Sequence, residues 1–337
     1  MRIALDAMGG DYAPRSTVEG AIMAVQQMEI GVILVGEEKQ LKEELTQFKT
    51  EGLAIEIEPA AEWVEMDEVA TSALKKRRSS IRIAAQLVRE GRAQGLVSAG
   101  NTGATMAVAK IVMGALEGID RPALAMVLPT PGDPSILLDV GANVDCKPHN
   151  LWQFGIIGHT FVNKILNIPN PKVGLLSIGE EESKGNELTR ESYKLLKKTP
   201  INFTGNIEGR DVFSGKVDVI VCDGFVGNVL LKVSESIAET MAFLLKEELS
   251  RDFFSKIGYL ISRRAYQNFK KRTDYAEYGG ALLLGLNDIC VICHGRSSPK
   301  AIKNAIGIAK DFYQSEVNQK ISSQIAQFSK MHHFRKD

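Results

Sequence analysis

The sequence predicts an α/β protein built on a doubly wound, mostly parallel sheet with helices on both faces. Short apolar runs of strand length alternate with longer segments of helical period, and nearly every run ends in a turn made of glycine and a small polar or charged residue. Only one neighbouring pair of runs is joined too tightly for a crossover helix.

Strand-like runs are read at residues 3–5, 31–35, 95–98, 136–140, 173–178, 217–222 and 289–293. Helices are read at 16–28, 79–91, 102–117, 148–166, 187–198, 228–249 and 299–328, several of them starting just after a glycine-rich turn. The exception is the pair 123–128 and 136–140, separated by Pro129-Thr130-Pro131-Gly132-Asp133-Pro134-Ser135, which reads as an antiparallel hairpin. No low-complexity linker and no fixed-period repeat is present, so residues 1–330 read as one domain with two lobes sharing a sheet, followed by a tail at 331–337.

Composition narrows the function classes. The chain has 337 residues, 44% hydrophobic, and 41 basic against 41 acidic side chains. A net charge of zero argues against a protein held mainly by nucleic-acid phosphates. The start Arg2-Ile3-Ala4-Leu5-Asp6 lacks a signal-peptide core, and no apolar run approaches the roughly 20 residues that span a bilayer. A cytoplasmic protein with at most peripheral membrane contact is expected. Cys146, Cys222, Cys290 and Cys293 read as reduced core thiols, and the five histidines show no metal spacing.

The turns carry the candidate chemistry. They are Asp6-Ala7-Met8-Gly9-Gly10-Asp11, Ser98-Ala99-Gly100-Asn101-Thr102-Gly103, Asp139-Val140-Gly141-Ala142-Asn143, Lys184-Gly185-Asn186-Glu187, Asp223-Gly224-Phe225-Val226-Gly227-Asn228 and His294-Gly295-Arg296-Ser297-Ser298. Each alone could be a tight turn or a helix cap. In an open parallel sheet, however, such loops converge beyond the carboxyl ends of the strands, where glycine amides and helix N-termini hold a small anion. No G-x-x-x-x-G-K-[ST], G-x-G-x-x-G or G-x-S-x-G is present, so nucleotide hydrolysis, a dinucleotide turn and a serine nucleophile elbow lose support.

As an ordered set, these turns together with Gly118-Ile119-Asp120-Arg121-Pro122-Ala123 and Tyr278-Gly279-Gly280-Ala281 resemble the bacterial phosphate acyltransferases over residues 2–309. The resemblance implies transfer of a fatty acyl group from acyl carrier protein to inorganic phosphate. It further implies an isocitrate/isopropylmalate dehydrogenase-like fold, a homodimer, no cofactor or metal, and a product feeding glycerol-phosphate acyltransferase in phospholipid synthesis. Phosphate suits the missing protein nucleophile, because near neutral pH it is already partly dianionic and needs chiefly to be held against the thioester carbonyl. On this reading Lys184, Asn186 and Asn228 bond the phosphate or the developing oxyanion. Ser98, Gly100, Asn101, Thr102 and Gly103 form a cradle, with Gly9, Gly10, Gly141, Asn143, Gly185, Asp223, Gly224 and Gly227 in the remaining turns. Asp6 and Asp139 either shape the floor or cap turns, and His294 either protonates the departing thiolate or is packed.

Two basic stretches stand out. Lys75-Lys76-Arg77-Arg78 suits an acidic carrier protein, or is a solvated turn. Within 250–275, Lys256, Arg263, Arg264, Lys270, Lys271 and Arg272 accompany Phe253, Ile257, Leu260 and Ile261 at helical spacing. That pattern reads as an interfacial helix on an anionic membrane, with packing in a dimer or core as the plain alternative. Two rivals remain open at this level: a metal- and nicotinamide-dependent decarboxylating dehydrogenase on a related fold, and a non-catalytic membrane-associated scaffold.

Overall fold

A computed structural model describes the backbone at residues 1–273 and 279–332, and the side chains at all of these except 267, 268, 270–273, 331 and 332. Tyr278, the side chains of Lys270, Lys271 and Arg272, and tail residues 333–337 lie outside the described set.

The amino-terminal half runs β1 (Arg2–Asp6), α1 (Arg15–Gln27), β2 (Gly31–Gly36), α2 (Glu38–Leu45), β3 (Ile55–Pro59), α3 (Ser80–Arg89), β4 (Gly95–Ser98), α4 (Thr102–Val112) and the strands β5 (Ala123–Leu128) and β6 (Ser135–Leu138). Then come α5 (Pro148–Ile165), β7 (Val173–Leu176), α6 (Glu187–Lys197), β8 (Phe203–Ile207), β9 (Val219–Val221), α7 (Gly224–Ser250) and α8 (Phe253–Thr273). The chain closes with β10 (Ala281–Leu284), β11 (Ile289–Ile292), α9 (Pro299–Gln314) and α10 (Val317–His332). All eleven strands join one sheet in the order β3-β2-β1-β4-β11-β10-β5-β6-β9-β7-β8.

The sheet is α/β and mostly parallel, with the expected β5–β6 antiparallel hairpin, in which Ala125 faces Leu138 and Leu128 faces Ser135. The strand β10 is antiparallel to both β11 and β5. These reversals divide the sheet into two parallel blocks, β3-β2-β1-β4-β11 and β6-β9-β7-β8, whose strands run in opposite senses along the ladder. The carboxyl ends of the two blocks therefore lie on opposite edges of the ladder.

Alternation of side chains across the strands supplies both faces with apolar surface. One face, with Leu5, Leu34, Val97 and Leu138, packs with α1, α5, α9 and α10 around the fully buried Trp152 and Phe154. The other, with Ala4, Leu96, Leu137 and Ile220, packs beneath α3 and α4. Each such large side chain contributes about 1.5–3 kcal/mol by leaving water. Cys222, Cys290 and Cys293 belong to these layers, and burial pushes the thiols of Cys290 and Cys293 up to about 12.

Several boundaries differ from the sequence reading. The helix expected at 102–117 stops at Val112, where Gly114 takes a positive φ of 76°. The single helix expected at 299–328 is two, because Glu316 sits in the left-handed region at φ 53° and breaks the helix between Gln314 and Val317. Its apolar period hides the break, since Ile302, Ile306 and Phe312 before it and Val317, Ile321 and Ile325 after it face the same core. The long helix begins at Gly224 rather than 228, capped by Asp223, whose carboxylate accepts the Val226 N–H at 2.9 Å.

Candidate active site

The expected single crevice presumed strands all pointing one way, whereas the two blocks of the ladder run in opposite senses. The turns gather instead into two groups, one at the carboxyl ends of β1, β4 and β11, the other at those of β6, β9 and β7. Among the described residues, no hydrogen bond or ion pair joins the groups.

In the first group Asp6 is buried, and its Oδ2 accepts the Ser98 hydroxyl at 2.7 Å, while the Ser98 oxygen accepts the Gly100 N–H at 3.0 Å. Burial pushes the Asp6 carboxyl up, outweighing hydrogen bonds from the Ser80 and Ser98 hydroxyls and the Met8 N–H that pull the other way. Gly9 must be glycine because a Cβ there would stand 2.7 Å from the Gly100 nitrogen. Gly10, at φ 109°, lets the Asp11 N–H reach the Gly295 carbonyl at 2.8 Å. His294 is exposed at the end of β11, and its Nδ1 accepts the Arg296 N–H at 3.1 Å.

This group is less a cradle than a clamp. The Asn101 Oδ1 caps α4 through the Ala104 N–H at 3.0 Å, and its Nδ2 donates to the carbonyls of Met66 and Glu68 at 3.0 and 2.9 Å. Thr102 opens the helix, and a Cβ on Gly103 would press on Ala70 at 3.0 Å. Asn101 thus ties the segment 62–79 across these turns, and both of its amide atoms are spent. Between that segment and the β1 turn lies an open groove of about 430 Å³ whose lining includes Asp11, Trp63, Glu65 and Asp67. Three carboxylates make it a poor phosphate site.

The tie also changes the basic run. Lys76 is turned inward, paired with Glu68 and donating to the Trp63 carbonyl at 2.9 Å, so only Lys75, Arg77 and Arg78 stand exposed. The Glu68 carboxyl, bonded by the Glu65 N–H, the Lys76 ammonium and the Ser72 hydroxyl, is held down to about 2. Sequence reading had no signal for Glu68, because its partner is eight residues away across a 3-10 turn at Ala70–Ser72 rather than one α-helical face.

The second group is built around Asp139, fully buried, whose Oδ1 accepts the N–H groups of Leu124 and Ala142, each at 3.0 Å. Its Oδ2 accepts the Asn143 N–H at 2.7 Å and the Asn143 side-chain amide at 2.9 Å. Burial raises the Asp139 carboxyl even so. Asp139 and Asn143 hold the loop rather than face a ligand. Gly224 and Gly227 allow α7 to start hard against this loop: the Gly224 N–H donates to the Asn143 carbonyl at 2.8 Å, and a Cβ on Gly227 would fall inside the Asp139 carbonyl oxygen.

What this scaffold presents outward is a cation and two amides. Asn186 caps α6 with its Oδ1, accepting the Thr189 N–H at 2.9 Å, which leaves its Nδ2 for other partners. Gly185, at φ 98°, turns the chain so that Lys184 lies exposed beside that cap. Two neighbouring carboxylates are occupied, Glu180 by Lys216 at 2.6 Å and Glu182 by Lys197 at 2.7 Å, whereas Lys184 enters no ion pair among the described residues. Asn228 is exposed in the first turn of α7, next to Gly141 at φ 126°. An ammonium, two amides and the N-termini of α6 and α7 are the ingredients of an anion site. Among the described residues no His, Cys, Asp or Glu cluster could hold a metal ion.

The fold places the chain among phosphotransacetylase-like α/β proteins. It superposes on a phosphotransacetylase from Streptococcus pyogenes with a TM-score of 0.61 at 18% identity, covering 93% of this chain and 94% of that one. It also superposes on the 4-hydroxythreonine-4-phosphate dehydrogenase of Klebsiella pneumoniae with a TM-score of 0.55 at 15% identity, covering 93% and 99%. Sequence is more specific. The chain belongs to the fatty acid synthesis protein family, whose model matches residues 1–320. It is 52% identical over 326 residues to the phosphate acyltransferase of Citrifermentans bemidjiense, covering 96% of this chain and 93% of that protein. With the phosphate acyltransferase of Aquifex aeolicus it shares 50% over 322 residues, covering 95% and 96%.

Proposed function

We propose that the chain transfers a fatty acyl group from the thioester of acyl carrier protein to inorganic phosphate, releasing acyl phosphate for phospholipid (phosphatidic acid) synthesis. Membership of a family of phosphate acyltransferases supports acyl transfer to phosphate, and the observation that carries the site is Lys184, exposed and in no ion pair among the described residues, next to the Asn186 cap of α6, with Asn228 exposed in the first turn of α7 at the end of the adjacent strand β9.

The chemistry follows from that group. Lys184 and the α6 and α7 N-termini neutralise phosphate and fix one of its oxygens against the thioester carbon. As the C–O bond forms, the carbonyl oxygen gains charge, which the Asn186 and Asn228 amides stabilise by hydrogen bonds. Collapse breaks the C–S bond and expels the carrier's thiolate, which with an ordinary pKa of about 8.5 departs without a strong acid. No residue of the chain is acylated. His294 lies in the first group and takes no step. Release of free carrier thiol should therefore require phosphate; thiol release at an equal rate without it sinks the proposal.

The carrier is acidic by the same family reading, and Lys75, Arg77 and Arg78 offer it exposed charge. Reversing all three to glutamate should raise KM for the carrier thioester about tenfold at low salt, with kcat and the phosphate KM preserved, as expected for rim charges that govern encounter. A KM that stays put moves docking elsewhere.

The proposal also takes in a homodimer and peripheral contact with an anionic membrane, the protein otherwise being cytoplasmic. No helix among the described residues is long and apolar enough to cross a membrane. The 27 residues of α7 extend about 40 Å, and Val233, Ile237 and Met241 along it are exposed, a stripe suited to the same stripe of a second copy. On α8, Phe253, Leu260 and Ile261 are 71%, 66% and 83% exposed, Ile257 less so, among Lys256, Arg263 and Arg264. Changing Leu260 and Ile261 to glutamate should abolish co-sedimentation with anionic liposomes while leaving a dimer in solution. Undiminished sedimentation excludes α8 as the anchor.

A further inference from the structure

The second group of turns is ringed by apolar side chains that neither core claims. Val144 follows Asn143, Phe225 and Val226 stand between the α7 cap and Asn228, Val229 is one residue beyond it, and Ile178 lies two residues past the end of β7. Their exposures are 58%, 61%, 39%, 49% and 82% in the order Val144, Phe225, Val226, Val229 and Ile178. They come from three separate loops, yet the ladder makes them neighbours: Val221 of β9 pairs with Leu138 of β6 on one side and Leu175 of β7 on the other, so the three carboxyl ends emerge side by side. Large aliphatic and aromatic groups beside an ammonium and helix N-termini form an amphiphile's footprint, with a charged head site and an apolar flank.

We infer that this flank, chiefly Phe225 and Ile178, is the binding surface for the fatty chain of the acyl donor and acyl phosphate product, and that it sets the preference for chain length. The inference rests on the proposed acyl transfer to phosphate and adds its chain-recognition site. A fatty chain is favoured over a second copy of the protein because the apolar residues surround the anion-binding group itself.

Each methylene removed from water contributes roughly 0.8 kcal/mol, so loss of flank contacts should be felt by long chains and not by short ones. The test is steady-state turnover with phosphate of carrier thioesters of 6 and 16 carbons by wild type, Phe225→Ala, Ile178→Ser and the conservative Phe225→Leu. The expected result is a roughly tenfold fall in kcat/KM for the 16-carbon donor in the two truncations. The 6-carbon donor and the phosphate KM should change less than twofold, and Phe225→Leu should recover most of the loss. Equal losses at both lengths, or none at 16 carbons in variants that melt like wild type, overturn the inference. If wild type itself shows no phosphate-dependent turnover, the underlying acyl-transfer reading fails instead.

Discussion

Replacing Lys184 by alanine is expected to lower kcat/KM for phosphate by about a hundred- to a thousandfold, the range found when one preorganised donor is removed from a site of developing charge. The side chain is exposed and enters no ion pair among the described residues, so little folding stability depends on it. The variant should melt like wild type. If the loss falls on phosphate KM alone, Lys184 binds the ground state; if kcat falls as well, it acts on the transition state. Lys184→Arg should restore part of the phosphate affinity, the guanidinium keeping the charge but not the point geometry of an ammonium. Turnover within twofold of wild type in Lys184→Ala removes the residue from the mechanism.

The second large effect concerns stability. At Gly227 an alanine methyl would overlap the Asp139 carbonyl oxygen and stand 3.0 Å from the Cys222 sulfur. The first of these is backbone, so no rotamer change relieves the clash. The first turn of α7 must lift away from the loop that Asp139 holds with four hydrogen bonds. Gly227→Ala is therefore expected to cost on the order of 3 kcal/mol, the upper range for overpacking a filled interior, and to displace Asn228 from its place beside Gly141. Chemical denaturation measures the first effect. An alanine variant with wild-type stability and activity contradicts the packing described here.

Much of the fold was legible because its causes are local. Strands such as Gly31–Gly36 are buried at every position and read as continuous apolar runs, while Asn101, Asn186 and Ser298 announce the helices they cap. What was missed has non-local causes. Strand β10, unread in the sequence, is antiparallel to both β11 and β5 and so leaves those two parallel; the opposite senses of the two blocks come from the β5–β6 hairpin. The hairpin itself was legible, but its effect on the turns beyond it depends on the strand order β5-β6-β9-β7, which no local pattern announces. Likewise nothing adjacent in sequence distinguishes Lys76, paired inward, from Lys75. Asn101 and Asn186 have the same residue type in similar turns, yet in one the Nδ2 is spent on two carbonyls and in the other it is left outward.

The proposed function turns on one step, the direct attack of phosphate, gripped by the Lys184 group, on the thioester. Rapid quenching of the enzyme with carrier thioester and phosphate, followed by mass measurement of both small-molecule product and intact polypeptide, tests it most directly. Acyl phosphate should accumulate in step with free carrier, and the polypeptide should keep an unchanged mass throughout. A fatty acyl adduct on the polypeptide that forms and decays at the turnover rate contradicts it.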